Sequence, residues 1–385
     1  MWYILLAQVQ VYLLVFQVIM MSGKVSLLPH EFFSPVSPLP NGGPPRPPLL
    51  FSKGADSVPY TFSASIRTDL ALEAHEALHQ KDPQQRVPGV DTLTRSTPNT
   101  KVTKVKITSA DGAQSLGKPP GTYITIEAPT LRLGGHVIAD EVAQVLTEEL
   151  SALANLSQEA TILVIGLGNW NATPDALGPR VVDNLMVTRH LFEYAPQELR
   201  GGLRSVAALA PGVLGLTGIE TEEIVRGVVQ HIHPDLVIAV DALASRSLHR
   251  VSTTVQLADS GIHPGSGVGN KRLGLTEEAL GTRVIAIGVP TVIHASTLAG
   301  DALELFSQAL VRHNVVSPTE LESALPAQNQ TDLLEQLLPA RWEDLFVTPK
   351  EIDALIADMA RIIAGGLNAA LHPGIGSGAG EHYLQ

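Results

Sequence analysis

The chain has no cysteine, few aromatic residues and fewer basic than acidic residues. Without cysteine, it can form no disulfide, thiolate nucleophile, iron–sulfur cluster or cysteine-ligated zinc site. Its 26 lysines and arginines against 38 aspartates and glutamates give a net charge of −12. This balance argues against a surface that neutralises phosphates, so we expect no direct nucleic-acid partner. The 385 residues are 44% hydrophobic, which is enough for a sizeable buried core.

Charge is also missing from the first 21 residues. A run of this length reaches the threshold for a membrane-spanning helix, but its three glutamines are unfavourable in lipid and no basic region of a secretory signal precedes it. Residues 24–60 are rich in proline, which favours extended chain over a core. We therefore predict that residues 1–66 are an apolar N-terminus and a proline-rich linker, either disordered or removed.

Residues 67–372 are predicted to form a single α/β domain, and the glycine-rich tail at 373–385 is predicted to be disordered. After two alternating segments that indicate a β-hairpin, short apolar runs alternate with helices, which is typical of parallel strands buried on both faces. The predicted fold is a three-layer sandwich with a mostly parallel central sheet and a peripheral β-hairpin. The predicted elements are the hairpin strands Val102–Thr108 and Tyr123–Ala128, the strands Ile162–Gly166, Ser205–Leu209, Leu236–Val240, Val251–Leu257 and Val284–Val289, and helices from about Arg67 and over Val137–Leu156, Gly178–Tyr194, Thr221–His231 and Pro349–Leu371.

The loop that follows strand Ile162–Gly166 carries one carboxylate, on Asp175. Asn171 stands where a dinucleotide-binding fingerprint requires its third glycine, so that interpretation fails. The loop nevertheless lies at the carboxyl end of a strand, the edge where open α/β sheets bind ligands. Asp175 is therefore a candidate catalytic residue, and a helix N-cap is the structural alternative.

Asp241 directly follows the apolar run Leu236–Val240, which predicts a buried central strand. Burial raises the pKa of an aspartate and a neighbouring carboxylate raises it further, so two such acids can divide the acid and base roles. Asp175 and Asp241 are thus a candidate dyad. The structural alternative for Asp241 is a cap or an ion pair with Arg246 or Arg250.

A third loop, Ser260–Lys271, is rich in glycine. The backbone amides at Gly265, Gly267 and Gly269 could approach a substrate closely, and the loop could equally be a flexible turn. His263 is a candidate site residue with a structural role as its alternative. The sequence has neither HExxH nor G-x-S-x-G, so no motif indicates a zincin metalloprotease or an α/β-hydrolase.

Several long strings resemble the spore germination protease family of endospore-forming bacteria. They are GLGNWNATPDALGPRVVDNLMVTRHLF, LAPGVLGLTGIETEEIV, DLVIAVDALASRS, DSGIHPGSGVGNKR, VIAIGVPTV and VTPKEIDALIADMARIIAGGLNAALH. The resemblance implies an endopeptidase that begins the degradation of small acid-soluble spore proteins, located in the cytoplasm of the forespore and spore core. It also implies a zymogen, a homotetramer and a fold similar to the hydrogenase maturation endopeptidases. The family's two proposed active-site aspartates fall on Asp175 and Asp241.

The resemblance further implies that the chain cuts itself between Asp69 and Leu70 to remove its propeptide. The sequence Asp-Leu-Ala-Leu-Glu there is similar to the family's substrate pattern, in which an acid precedes a bulky apolar residue and a second acid follows. Basic groups would recognise such a pattern, with Arg180, Arg246 and Lys271 as candidates.

Two alternatives stay open at this point. The same two aspartates could bind a divalent metal, as in the similar maturation endopeptidases, although the residues predict no cofactor and no further metal ligand. A non-catalytic α/β binding protein, tethered to a membrane through residues 1–21, is the rival from another class. Translation from Met20 or Met21 would remove most of that apolar segment, and no membrane contact is expected for the mature form.

Overall fold

The computed structural model describes most of the chain after Arg67. The described residues are 68–81, 87–194, 196, 201–263, 274–313, 315–317, 319–321 and 345–374. The predictions for residues 1–66 and for the tail after Gly374 lie outside them. The described residues fall into two compact units: 68–295 with 345–374 form one, and 296–321 belong to the other.

The described residues form nine strands and ten helices with the following bounds. The strands are β1 (Val90–Ser96), β2 (Lys101–Ile107), β3 (Gly121–Glu127), β4 (Thr161–Gly166), β5 (Ser205–Leu209), β6 (Leu236–Ser245), β7 (Thr254–Ala258), β8 (Arg283–His294) and β9 (Phe346–Val347). The helices are α1 (Ala71–Lys81), α2 (Ala110–Leu116), α3 (Leu131–Ala154), α4 (Leu177–Asp183), α5 (Arg189–Tyr194), α6 (Leu214–Thr217), α7 (Thr221–Ile232), α8 (Glu277–Leu280), α9 (Ala295–Arg312) and α10 (Ile352–Leu371).

All nine strands join one mixed sheet in the order β1-β2-β3-β7-β8-β6-β4-β5, with β9 paired to β8. The pairings β5–β4, β4–β6 and β6–β8 are parallel, and the other five pairings are antiparallel. The prediction of a mostly parallel sheet is therefore wrong for the sheet as a whole, because a long antiparallel half extends it beyond β8.

The predicted β-hairpin forms, but it is not a separate peripheral unit. Its strands β2 and β3 pair antiparallel from Lys101↔Glu127 to Ile107↔Gly121. A short helix, α2, lies in the connection, with the Ser109 side chain accepting a hydrogen bond from Gly112 N as its N-cap. Strand β3 also pairs with β7, so the hairpin is continuous with the main sheet.

Alternate residues of the parallel strands pack against helices on opposite faces of the sheet. Ile162 and Val164 of β4 lie in a core cluster with residues of α3 and α10, whereas Leu163 and Ile165 cluster with residues of α7 and α8. This period-two alternation produces helix layers on both faces, as predicted for a three-layer sandwich.

Helix α10 is the most apolar long helix of the described part. By length and composition alone this helix could span a membrane, but half of its most apolar stretch is buried inside the protein. Ile356, Met359 and Ile363 contribute its buried stripe at helical spacing. Its composition is therefore explained by its position in the core.

Candidate active site

The site is built where strand β4 ends beside the longer strand β6. Strand β6 was expected to end at Val240 but continues to Ser245 in its pairing with β8, so Asp241 lies within it. Strands β4 and β6 are paired up to Gly166↔Val240, and Leu167 N donates a hydrogen bond of 2.8 Å to Val240 O. Asp241 is the next residue of β6, and Asp175 ends a single 3-10 turn, Thr173–Asp175, in the loop after β4. The topology thus brings both predicted aspartates to the carboxyl edge of the sheet.

Glycines allow the loop after β4 to pack tightly at this edge. A Cβ at Gly178 would lie 2.2 Å from Leu167 O and 2.6 Å from Val240 O, so only glycine fits there. Gly168 has a φ of +115°, and a Cβ on it would lie 1.9 Å from Asp175 O. Asn169 N donates to that same oxygen at 3.0 Å. The backbone of Asp175 is therefore held in place from within the loop.

Asp241 is the most strongly perturbed acid of the site. Its side chain is only 7% exposed, and this burial raises its pKa well above the ordinary value. The charge of Asp175 and, to a smaller extent, that of Asp69 raise the pKa of Asp241 further, against a 2.8 Å hydrogen bond from Ala242 N. The pKa of Asp241 is thus raised in the presence of a second carboxylate, and such differences in environment can separate acid and base roles.

Two of the structural alternatives, a cap of helix α4 by Asp175 and an ion pair of Asp241 with Arg250, differ from the observed contacts. Helix α4 has Ala176 as its N-cap residue, so Asp175 does not cap it. Arg250 pairs with Glu73, Glu76 and Glu127 rather than with Asp241. Among the described residues, no group of three metal-ligating side chains is present at this site or elsewhere.

The predicted cleavage segment lies against the end of β6. Asp69 N donates to Ala244 O at 3.0 Å, and Ala244 N donates to a carboxylate oxygen of Asp69 at 2.8 Å. Leu70 is fully buried, and α1 begins at Ala71. The Asp69–Leu70 peptide bond is therefore fixed next to the strand that carries Asp241.

Two further side chains bind the backbone of this segment. The Gln256 carboxamide donates from Nε2 to Asp69 O at 3.2 Å and accepts at Oε1 from Ala71 N at 2.8 Å. Lys118 Nζ donates to Thr68 O at 3.1 Å. Burial lowers the pKa of Lys118, while the nearby charges of Asp69 and Glu73 raise it.

The second acid of the segment, Glu73, is held in a pocket of donors. Its side chain is buried and accepts from Arg246 N at 2.7 Å, from Ser247 N at 3.0 Å and from Arg250 Nη1 at 3.3 Å. Burial lowers the pKa of Arg250 because it disfavours the charged guanidinium. The hydrogen bonds and ion pairs of Arg250 with Glu76 and Glu127 outweigh burial and raise its pKa overall. A cavity of about 360 Å³ adjoins this pocket.

The third predicted loop is described only at its base. Ile262 and Leu275 close it with two backbone hydrogen bonds of 3.0 and 2.8 Å, and the exposed His263 ring packs against Gly274. Ile262 packs against the cluster that contains Ala71, so the base of the loop borders the cleavage segment. Gly265, Gly267, Gly269 and Lys271 lie outside the described residues.

Further residues that the sequence did not indicate also contact the segment. Arg246 contacts Glu73 through its backbone N–H, and the Arg180 guanidinium lies 5.9 Å from the centre of the Trp170 ring. Gln256 and Lys118 were not among the residues expected at the site, and Arg250 was expected only as a possible ion-pair partner of Asp241. Their contacts with the segment span 50 to 187 positions along the chain, so no local motif marks them.

The fold is α/β, and a ligand-binding edge of its sheet carries a buried carboxyl group and a second carboxylate, as is common in enzymes of this class. The germination protease family model matches residues 68–317 and 320–384. The germination protease of Caldanaerobacter subterraneus subsp. tengcongensis is 50% identical over 312 residues, covering 80% of this chain and 95% of the relative. Those of Bacillus cereus and Bacillus mycoides are each 41% identical over 345 residues, covering 80% of this chain and 94% of each relative. The chain belongs to the germination protease family and is therefore a peptidase, which confirms the family resemblance of the sequence.

Proposed function

We propose that this chain is an endopeptidase, made as a self-processing zymogen, that begins the degradation of small acid-soluble spore proteins during germination. The observation that carries the proposal is the position of its own Asp69–Leu70 bond beside the strand that carries Asp241. A protein that must cut itself there needs that bond and its catalytic acids at one place. The family match supports the peptidase activity and the link to germination.

The contacts of the segment support the substrate class. The side chains of Asp69 and Glu73 both accept hydrogen bonds from backbone N–H groups at and just after the end of β6, and Arg250 adds an ion pair at Glu73. Hydrogen bonds between a charged group and a fixed donor are among the stronger ones in proteins. A substrate with an acid on each side of the cut would find donors already in place for both.

The proposed mechanism divides the work between the two aspartates. Because burial and the charge of Asp175 raise the pKa of Asp241, Asp241 is the acid that keeps its proton. Asp175, which is more exposed, acts as the carboxylate that takes a proton from water as the water attacks the scissile carbonyl carbon. Asp241 then donates its proton to the leaving amine. The pair thus resembles other carboxyl pairs whose environments separate their pKa values.

The remaining expectations belong to the same proposal. We propose that the reaction runs without a metal, that the mature enzyme begins at Leu70, works in the cytoplasm of the forespore and spore core and assembles as a homotetramer. The partners are small acid-soluble spore proteins as substrates, with no direct contact to nucleic acid or membrane. A similarity of the fold to the hydrogenase maturation endopeptidases stays a prediction.

Cleavage of a purified small acid-soluble spore protein tests the proposal. Asp175→Asn and Asp241→Asn should each lower the cleavage rate at least about 1,000-fold, since each removes a proton-transfer group. Asp235→Asn is the matched control, because that carboxylate accepts a hydrogen bond from Thr161 N at the opposite, amino edge of the same strands. Full activity in Asp241→Asn, or an inactive parent chain, would contradict the proposal, and the inactive parent would favour the non-catalytic binding protein.

Removal of divalent metal separates the metal-free pair from the metal-dependent alternative. The parent chain is dialysed against a chelator and assayed on the same spore protein, before and after Zn²⁺, Mn²⁺ or Mg²⁺ is restored. A pair of carboxyl groups that only exchanges protons should keep its full rate. Loss of activity that returns with one metal would instead assign the two aspartates as its ligands.

A further inference from the structure

Gln256 is a buried polar residue that contacts the cleavage segment, and the proposed roles of Asp175 and Asp241 do not explain why it lies there. It lies inside the sheet on β7, paired with Thr125 of β3 on one side and with Gly288 of β8 on the other. Its side chain is only 7% exposed, yet both ends of the carboxamide have a partner on the cleavage segment. A buried polar side chain is stable only when its hydrogen bonds are satisfied, and here the segment satisfies them.

The two partners also fix which way the carboxamide faces. Ala71 offers an N–H, so it requires the carboxamide oxygen, and Asp69 offers a carbonyl oxygen, so it requires the NH₂ group. The reversed amide would oppose donor to donor and acceptor to acceptor. The N–H of Gln256 is therefore aimed at the carbonyl of the Asp69–Leu70 peptide bond.

That carbonyl oxygen is where negative charge develops when the bond is hydrolysed. We propose that Gln256 is a further catalytic residue, whose Nε2–H stabilises the oxyanion at the carbonyl before the cut, while its Oε1 aligns the peptide N–H two residues further on. The inference rests on the proposed self-cleavage. Preorganised donors of this kind act most strongly in a site from which water is excluded.

In the proposed hydrolysis, the two aspartates carry out the proton transfers. Asp175 removes a proton from water, the water oxygen bonds to the Asp69 carbonyl carbon, and the carbonyl oxygen takes the electron pair under the Gln256 N–H. The C–N bond then breaks as the carbonyl reforms, and Asp241 gives its proton to the Leu70 nitrogen. The products are the Asp69 carboxyl and the Leu70 amine. The proton gained by Asp175 then leaves it, and Asp241 takes one up from solvent.

The other side chain on this backbone has a different partner. Lys118 Nζ donates to Thr68 O, the carbonyl one residue before the scissile one. It positions the segment but does not contact the atoms that react. Among the described contacts of the segment, the carboxamide of Gln256 is the one that bonds to the scissile carbonyl oxygen.

The isosteric variant Gln256→Glu separates the two functions of the side chain. A carboxylate can still accept from Ala71 N but cannot donate to Asp69 O. We expect the first-order rate of self-processing of the full chain, followed by intact mass, to fall about 100-fold to 1,000-fold at neutral pH. In acid the new carboxyl becomes protonated and regains a donor, so the ratio of variant to parent rate should rise as pH falls toward about 4.

Two companion variants complete the test. Gln256→Met removes both hydrogen bonds without adding charge and should stay slow at every pH. Gln158→Glu is the matched control, since Gln158 Nε2 also donates to a backbone carbonyl, that of Leu203, at 3.0 Å but on an exposed part of the surface. It should process at the parent rate.

The outcomes separate this inference from the proposed function. Processing of either folded Gln256 variant within about threefold of the parent would overturn the role of Gln256 alone. A Gln256→Glu ratio that stays flat in acid would also overturn it, because a donor role requires recovery. A parent chain that forms no product beginning at Leu70 would overturn both the self-cleavage and this inference.

Discussion

The Asp241 carboxyl makes the stability of the folded chain depend on pH. Its pKa is raised in the folded state, so between its unfolded and folded pKa values the folded chain binds more protons than the unfolded chain. The contribution of this group is therefore fully present below about pH 4 and is lost as pH rises toward its folded pKa. The same burial that raises the pKa of Asp241 thus opposes folding at neutral pH.

Asp241→Asn should remove this pH dependence. Asparagine keeps the shape of the side chain but cannot ionise, so the free energy of unfolding should fall less steeply between about pH 4 and pH 7 than in the parent. At neutral pH the variant should be the more stable protein. Denaturant titrations of both chains across this range measure the effect. If the free energy of unfolding changes with pH in the same way in both proteins, Asp241 does not have a raised pKa in the folded state.

Single residues of the site were predictable only where the chain topology places them. Asp175 follows strand β4, and Asp241 lies in the neighbouring strand β6 just beyond the last residue paired with β4, so both come to the carboxyl edge of β4. Gln256 was not predictable, because its contact with Asp69 spans 187 positions and depends on β7 entering the sheet beside β3. Nothing in the sequence around Gln256 distinguishes it from an ordinary polar residue of a strand.

At the scale of elements, periodicity predicted the type of most segments and misjudged their junctions. Residues 178–194 were expected to form one helix but form two, α4 and α5. Thr188 lies between them, where it donates from Oγ1 to Arg204 O and accepts there from Val206 N, so its hydrogen bonds anchor the break to β5. These partners are distant in sequence, and helical spacing alone does not indicate them.

The start of the last helix shows the same limit. Thr348 and Pro349 form a favourable start signal, and a helix was predicted from Pro349. The helix instead begins at Ile352 with Glu351 as its N-cap residue, and Thr348 Oγ1 donates to Thr291 O on β8. A tertiary hydrogen bond has replaced the local cap.

Arg204 joins the ends of two core helices, and its removal should loosen both. Its guanidinium donates to four carbonyl oxygens: to Ala370 at 3.0 Å and Leu371 at 3.2 Å at the end of α10, and to Leu156 at 3.2 Å and Ser157 at 2.7 Å just after α3. Helix C-termini leave such carbonyls without partners in the helix, and a cation there also favours the dipole. Arg204→Met should lower the free energy of unfolding by about 3 kcal/mol.

Arg361→Met is the control for this prediction. Arg361 lies on the exposed side of α10 and pairs with Asp358 on the surface, so its loss should change the free energy of unfolding by less than about 1 kcal/mol. Equilibrium unfolding in urea compares the two variants with the parent. Equal effects of both substitutions would contradict the special role of Arg204.

At the scale of the whole molecule, the chain holds a substrate-like segment of its own at the catalytic edge of its sheet. Backbone pairing with Ala244, the Gln256 carboxamide and the pocket around Glu73 hold this segment at successive positions. In the proposed function, a spore protein could not use the same donors while this segment stays bound. The segment would then be both the substrate for self-processing and a block on cleavage of other proteins.

The antiparallel half of the sheet also contributes to the candidate site. Strands β3 and β7 were predicted as strands, but their pairing was not, and it is this pairing that places Gln256 facing the segment. The parallel half carries the two aspartates, and the antiparallel half carries Gln256, which binds the Asp69 carbonyl. The site is formed where these two halves of one sheet meet, between β6, β8 and β7.

The most direct test of the central claim is the N-terminus of the processed chain. The full chain is incubated at mildly acidic pH and high concentration, and its products are identified by intact mass and N-terminal sequencing. The account predicts that the parent yields a species beginning at Leu70, and that folded Asp241→Asn yields none over the same time. A parent that never begins at Leu70, or an Asp241→Asn chain that is processed there at the parent rate, would contradict it.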